Sequence, residues 1–236
     1  MPTTRDVPIV LSAPDVMRRN GLRFGGRLHP RVRSLVPEML EVIETEELLQ
    51  PALAYTEWPV AGVTRTAMRL VNGACIEDAP RLAGRLGGAT SVLTAAGTLG
   101  PRFDAHISGL FADRQPMRAL VLEEIGVLAV ARLGDAIRDH LDAEIGVRSL
   151  ECSSPMSPGE TGFALDAQPT VVALAEGEAI GISLIASGAM KPVKSLSMVI
   201  GVGKTMPRWA AWEVCAGCAA RDNCRYRTRP QMEAAT

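Results

Sequence analysis

Apolar residues recur at helical spacing along two stretches of this chain. From Pro116 to Glu144, Val121, Ile125 and Leu128 make one stripe, and Leu122, Ala129, Leu133, Ile137 and Leu141 make an adjoining one. Two neighbouring stripes predict a long helix with a broad buried face. Arg138, Asp139 and Asp142 give its distal end a solvated side. Val36, Met39, Leu40, Ile43 and Leu48 repeat in the same way and predict a helix from about Val36 to Leu49, where Pro37 fits only the first turn. Shorter helices are expected after Ser12, which can cap a turn holding Pro14 and ending at Gly21, and from Asp78 and Pro80 to Gly87-Gly88. Phe103 to Phe111 and Leu165 to Ala175 read as helices too.

Extended segments lie between them. Thr90 to Ala96 is a candidate buried strand that runs into Gly97-Thr98-Leu99-Gly100-Pro101, a loop whose amides could approach a ligand. Val7 to Leu11, Arg148 to Cys152, Ile180 to Ala186 and Ser195 to Val202 read as strands, and Pro51 to Arg69 as extended chain broken by a turn near Pro59 and Gly62. Gly25-Gly26 and Pro30 mark a loop. Strands alternating with helices predict an α/β (α+β) fold, a single mixed sheet packed with helices. The expected division is an arm over 1–30, a body over 31–204 and a Cys-rich basic tail over 205–236.

With 236 residues, 47% apolar and 22% charged, the chain can bury a core without disulfides. A net charge of −1 gives no global field for nucleic acid or an acidic membrane. Apolar runs at Ala119 to Leu133 and Ala179 to Met190 are interrupted by charge or too short to span a bilayer. The opening residues lack an export signal of the usual form, so a cytoplasmic location is expected. Against that background the five cysteines change the picture. Cys215, Cys218 and Cys224 crowd into ten residues, a spacing suited to one metal ion or cluster in a reducing compartment. Cys152 is the first candidate for a fourth ligand and Cys75 the next; zinc and a four-iron four-sulfur cluster both fit thiolates. Arg208, Arg221, Arg225, Arg227 and Arg229, opposed only by Glu213 and Asp222, make this segment locally basic, fit for an acidic partner surface or a phosphate. Trp209, Trp212 and Tyr226 could stack on bases, but no recognised nucleic-acid module accompanies them.

Three patterns in order carry a resemblance. They are Thr98-x-Gly100 with Leu122-Glu123-Glu124-Ile125-Gly126, Ser157-Pro158-Gly159 followed by Leu165 and Gln168, and Ser187-x-x-Met190-x-Pro192-x-x-Ser195-x-Ser197. Together they resemble the reactivation (activation) domain of cobalamin-dependent methionine synthase and its free-standing relatives. The resemblance implies a curved α/β body that binds S-adenosylmethionine and docks on a corrinoid carrier. It implies ligand contacts from Ser157, Pro158, Gly159, Ser187, Met190, Pro192 and Ser195, with the loop and the Met190 to Ser195 segment converging in one cavity. It also tips the tail metal toward iron-sulfur. Where the family pattern has an arginine before the loop and a tyrosine after it, this chain has Pro155 and Glu160, so S-adenosylmethionine binding is expected to be weak or absent. The resemblance also implies a partner, a corrinoid-binding protein or methyltransferase, that brings the cobalamin. The leading expectation is an accessory protein of a corrinoid-dependent methyltransferase system that assists reductive reactivation or methyl transfer. The alternatives are a metal- or cluster-containing binding module that has lost S-adenosylmethionine, and an enzyme using Glu160 or Glu123 as an acid or base on a small ligand.

Overall fold

In the computed structural model, which describes residues 3–5, 7–18, 22–24 and 27–228, the two most apolar extended segments lie at the centre of one sheet. The strands are β1 Thr3–Thr4, β2 Arg23–Phe24, β3 Arg27–Leu28, β4 Ala52–Val63, β5 Met68–Leu70, β6 Cys75–Ile76, β7 Ser91–Thr98, β8 Glu151–Cys152, β9 Ser183–Leu184, β10 Met190–Lys191 and β11 Ser195–Gly203. The helices are α1 Ala13–Arg18, α2 Pro30–Thr45, α3 Pro80–Leu86, α4 Pro101–Ala112, α5 Pro116–Gly146, α6 Gln168–Leu174 and α7 Ala211–Ala216. The seven-stranded sheet runs β6-β5-β4-β7-β11-β8, with β1 added to β4. Every pair in it is antiparallel. The expected α/β class is present; what is mixed is helix with strand and not strand direction. β2 with β3 and β9 with β10 form two small ribbons.

The period of two in the central strands assigns the two faces. Leu53, Tyr55, Leu93, Ala95, Met198, Ile200 and Val202 meet Leu133, Ile137, Leu141 and Ile145 of α5. Ala52, Ala54 and Ala96 meet α6 through Val172, while Val92 and Val199 pack with Leu82, Leu86, Met156 and Val171. All eight residues of β7 are buried because helices cover it on both sides. Gly97 permits the close approach of α5, since a Cβ there would stand 2.6 Å from Ile137 Cδ1. The N-terminal half of α5 leaves the sheet. There Val121, Leu122, Ile125 and Leu128 pack with α1, α2 and α4 through Val16, Val36, Met39 and Phe103. Both predicted stripes are therefore buried, and the helix divides along its length: Val121 to Leu128 pack in one cluster and Ala129 to Leu141 in the other. Among the described residues no helix is long and apolar enough to cross a membrane.

Several boundaries differ from expectation for physical reasons. Helix α2 starts at Pro30, ahead of Val36, because Pro30 suits a first turn and His29 accepts the Arg31 N–H at 3.2 Å. Pro37 then lies inside the helix. It and Arg33 are exposed residues, and Pro37 has no N–H to serve the Arg33 carbonyl. Val7 to Leu11 forms no strand; β1 pairs with β4 through Thr3 and Thr4, and Val7 is buried in the α5 cluster. Pro59 sits within β4, where pairing passes from β7 to β5, and the irregularity is a bulge between Val60 and Gly62. The segment Ile180 to Ala186 is broken at Gly181, which adopts φ 81. The expected stop at Gly21, the Gly25-Gly26 loop and Arg229 lie outside the described residues.

Candidate functional site

The start of β11 and the end of β7 place Lys194 and Ser195 against the Thr98 loop. Lys194 is 5% exposed, and its Nζ lies 2.9 Å from both Glu123 oxygens and 3.7 Å from Asp104 Oδ1. Asp104 Oδ2 accepts the Val193 N–H at 2.5 Å. Ser195 Oγ donates to the Pro192 carbonyl at 2.7 Å and pairs with Thr98 Oγ1 at 2.9 Å, which accepts the Gly100 N–H at 3.1 Å. Gly126 completes the arrangement: a Cβ there would fall 2.6 Å from Lys194 Cε and 2.8 Å from the Phe103 ring. Two of the sequence patterns, Thr98-x-Gly100 with Leu122 to Gly126 and the run through Ser195, thus meet around one buried lysine. A buried ammonium needs such partners to keep its charge. Glu123 is engaged by that lysine and holds α5 to β11.

Of the remaining residues of the run, Pro192 touches this cluster through Ser195, and Met190 and Ser187 lie apart from it. Pro192 lines a depression of about 370 Å³ with Asp104, Ile180, Lys191 and Val193. Met190 packs on the α6 side with Ile182 and Ala54, and Ser187 is exposed in the turn between β9 and β10. Gly159 and Glu160 line a different depression, about 580 Å³, with Thr66, Asp78, Pro80 and Leu165. The loop and the Met190 to Ser195 segment were expected in one cavity, and they line two. The loop is tied toward α3, where Arg81 N–H donates to Gly162 O at 2.9 Å and Ala164 N–H to Asp78 O at 3.0 Å. Between the two depressions Gln168, at the head of α6, donates to Gly188 O.

Within the loop, Ser157 N–H donates to Glu160 Oε1 at 3.1 Å and Glu160 N–H donates back to Ser157 O at 3.1 Å. Pro158 and Gly159 are the two residues between, with Gly159 at φ 92. Burial pushes the Glu160 carboxyl above the usual carboxylate range, against the lowering effect of the Ser157 amide and of Arg81 and Arg85. With Asp78 and Glu160 both in its wall, this depression disfavours an anionic ligand edge. It can host a proton donor or a cationic group.

The tail packs onto that loop and onto α5. Thr161 Oγ1 donates to Gly217 O at 2.8 Å, Trp209 lies beneath the Arg85 guanidinium at 4.0 Å, and Arg208 grips Asp142 with contacts of 2.9 and 3.1 Å. Cys215, Cys218 and Cys224 are half-exposed, and Cys215 Sγ accepts the Thr228 N–H at 3.4 Å. Cys152 is buried in the α5 cluster with its Sγ 3.9 Å from Leu141 O, and burial, foremost, pushes its thiol up to about 12. Cys75 is in β6, at the end of the main sheet's strand path opposite β8. Among the described residues no group of three or more His, Cys, Asp or Glu side chains is placed to hold a metal ion. Cys152, Cys215, Cys218 and Cys224 are therefore not assembled as one donor set.

Sequence reasoning passed over Lys194 and Asp104. Lys194 stood at an unassigned position between Pro192 and Ser195, where its place in the run was the available signal. Glu124 is the buried member of the Glu123-Glu124 pair; its Oε1 accepts Tyr226 OH at 2.7 Å and the Arg225 guanidinium at 3.1 Å.

No family model matches this chain, and no curated protein matches it. Among solved structures, the MetH reactivation domain bound to AdoHcy is similar, with a TM-score of 0.56 and 17% sequence identity over 80% of this chain and 69% of that one. At that identity the likeness is one of fold, and the seven-stranded antiparallel sheet packed with helices is the part of the resemblance it shows.

Proposed function

We propose that this chain is an accessory protein of a corrinoid-dependent methyl-transfer system, acting on cobalamin carried by a partner during reductive reactivation or methyl transfer. The observation that carries the reading is the meeting of two separated sequence patterns around Lys194, in a fold shared with the MetH reactivation domain. In this reading the 31–204 body docks on the corrinoid carrier and the basic tail borders the contact. In this reading S-adenosylmethionine binds weakly, because Asp78 and Glu160 line the loop depression and would oppose a ligand carboxylate there. No metal enters the proposal, because the tail thiols and Cys152 do not form a donor set.

The test is to add the purified chain to a cobalamin-loaded carrier protein held as cob(II)alamin under a one-electron reductant, with and without S-adenosylmethionine. Faster loss of the cob(II)alamin visible band than with carrier alone is expected. A rate unchanged in both conditions rejects the reading. S-adenosylmethionine titrated into the free protein should bind weakly. Pro155→Arg with Glu160→Tyr should tighten it about tenfold or more through a charge-assisted contact. An acid-base role for Glu160 is the second reading, favoured by its raised carboxyl; Glu160→Gln sparing the corrinoid rate would separate the two.

A further inference from the structure

The backbone of the tail brings two of its cysteines onto one face of a turn. Helix α7 ends where Gly217 N–H donates to Val214 O and Cys218 N–H donates to Cys215 O, both at 3.2 Å. Gly217 keeps right-handed dihedrals there, φ −90 and ψ 0. In a turn closed by bonds of this span, side chains three residues apart eclipse, and their Cα atoms stand about 6 Å apart. Cys215 and Cys218 are such a pair, and a disulfide spans roughly 4.4 to 6.8 Å between Cα atoms. The turn is also held from outside, because the carbonyls of both intervening residues have donors. Arg221 Nη1 reaches Ala216 O at 3.3 Å and Thr161 Oγ1 reaches Gly217 O at 2.8 Å. Access is open: both thiols are half-exposed, and Ala216, Gly217, Ala219 and Ala220 beside them are small and exposed. Cys224 belongs to another turn, closed by Arg227 N–H on Cys224 O at 3.4 Å, and Cys152 is buried in the α5 cluster.

We propose that Cys215 and Cys218 form a redox-active dithiol that exchanges with small disulfides. One of the two, as thiolate, attacks a sulfur of the disulfide RSSR; that S–S bond breaks, a mixed disulfide forms and one RSH leaves. The other thiol then attacks the protein sulfur of the mixed disulfide, closing the Cys215–Cys218 bond and releasing a second RSH. The protein gives up two electrons and two protons, and the two RSH molecules carry them away. The reverse steps restore the dithiol. The folded turn holds the second thiol beside the first, so the ring closes more readily than on an unfolded chain, where the two must find each other. The corrinoid reading does not enter the argument, and its failure leaves the pair standing.

The experiment equilibrates the intact protein anaerobically with mixtures of reduced and oxidised glutathione, quenches with acid, blocks free thiols and maps the disulfides by mass spectrometry. A reversible Cys215–Cys218 bond is expected. Its midpoint should correspond to an effective thiol concentration about tenfold or more above that of the same chain unfolded in urea. Cys224→Ser should leave the midpoint unchanged, while Cys218→Ser should stop at a mixed disulfide of glutathione with Cys215. No intramolecular bond at any ratio, a bond that joins Cys224 to either partner, or equal midpoints in the folded and unfolded chain overturns the proposal. Stoichiometric zinc or iron held by these thiols in the purified protein overturns it too. If Cys224→Ser does not fold by circular dichroism, the disulfide map and the two midpoints of the wild type decide.

Discussion

The Lys194 cluster buries an ionisable side chain and the Ser157-Pro158-Gly159-Glu160 loop half-buries one, and they hold them in opposite ways. Lys194 has both oxygens of Glu123 at 2.9 Å and Asp104 beyond them, so its charge is matched within contact distance. Glu160 has one amide of its own turn, while Arg81 and Arg85 act on it without a direct ion pair. The first arrangement fixes three elements, α4, α5 and β11, and depends on charge. The second tolerates neutralisation, because burial favours the protonated acid. A buried charge paired at contact distance is a structural joint; one held by a single amide is free to change its protonation.

The sharpest way to break this comparison is to remove the lysine. Lys194→Ala leaves Glu123 and Asp104 facing each other without a cation, and breaking a buried pair costs about 3–5 kcal/mol. Glu123 retains 39% side-chain exposure, so water recovers part of the loss and about 2–3 kcal/mol is expected in urea denaturation. Lys194→Ala with Glu123→Ala should cost less than the two changes summed by about 1 kcal/mol, which measures the joint itself. Additive losses would mean that the ion pair holds nothing together.

Gly126→Ala tests the same joint by sterics. The added methyl would meet Lys194 Cε at 2.6 Å and the buried Phe103 ring at 2.8 Å. The lysine stem can shift but the ring cannot move far, so overpacking of about 1–3 kcal/mol is set against a helix-propensity gain of up to about 1 kcal/mol. A net loss near 1 kcal/mol is expected, and a stabilised protein would show that α5 is not tightly seated there.

The parts of this molecule that were legible in the sequence are those where a local pattern and the packed environment say the same thing. Helix α5, β7 and β11 carry unbroken apolar periodicity, and all three run within a few residues of where it places them. Where the decision depends on which neighbour packs alongside, the pattern falls silent. Glu123 and Glu124 are one residue apart on a helix with apolar residues all around, and only the docking of β11 and the tail directs one to Lys194 and the other to Tyr226. The cysteine spacing is local too, whereas a metal site needs its donors to converge, and Cys152 is drawn into the α5 cluster by its place in β8 beside Val202. The meaning of Pro37 turned on its lying on the exposed side of α2, which one residue's identity does not state.

Glu160 gives the loop side of the comparison a pH signature. Its folded carboxyl is raised above the ordinary value of 4.5, so the folded state holds the proton more tightly than the unfolded chain does. That contribution is fully present below the ordinary carboxylate range and is lost as pH rises through the raised value. As pH rises from the ordinary carboxylate value through the raised one, the wild type should therefore lose stability relative to Glu160→Gln, which carries no titrating proton. A difference that is flat across this range, or that grows in the wild type's favour, would sink the assignment.

The smallest perturbation compares two kinds of cysteine. Cys152, with its thiol pushed up to about 12 chiefly by burial and its Sγ facing Leu141 O, should remain an inert thiol in the native protein. Cys75, Cys215, Cys218 and Cys224 are partly accessible and should be labelled in the native protein. Mass spectrometry after brief alkylation should show those four labelled and Cys152 labelled only once the chain is unfolded. The tail cysteines also test the packing of 211–228 on the Thr161 loop, because Thr161→Val removes the contact to Gly217 O and should speed their labelling relative to Cys75. Rapid labelling of native Cys152 would place it outside the α5 cluster and return it to the tail. Unchanged tail rates in Thr161→Val would show that the loop does not hold the tail in place.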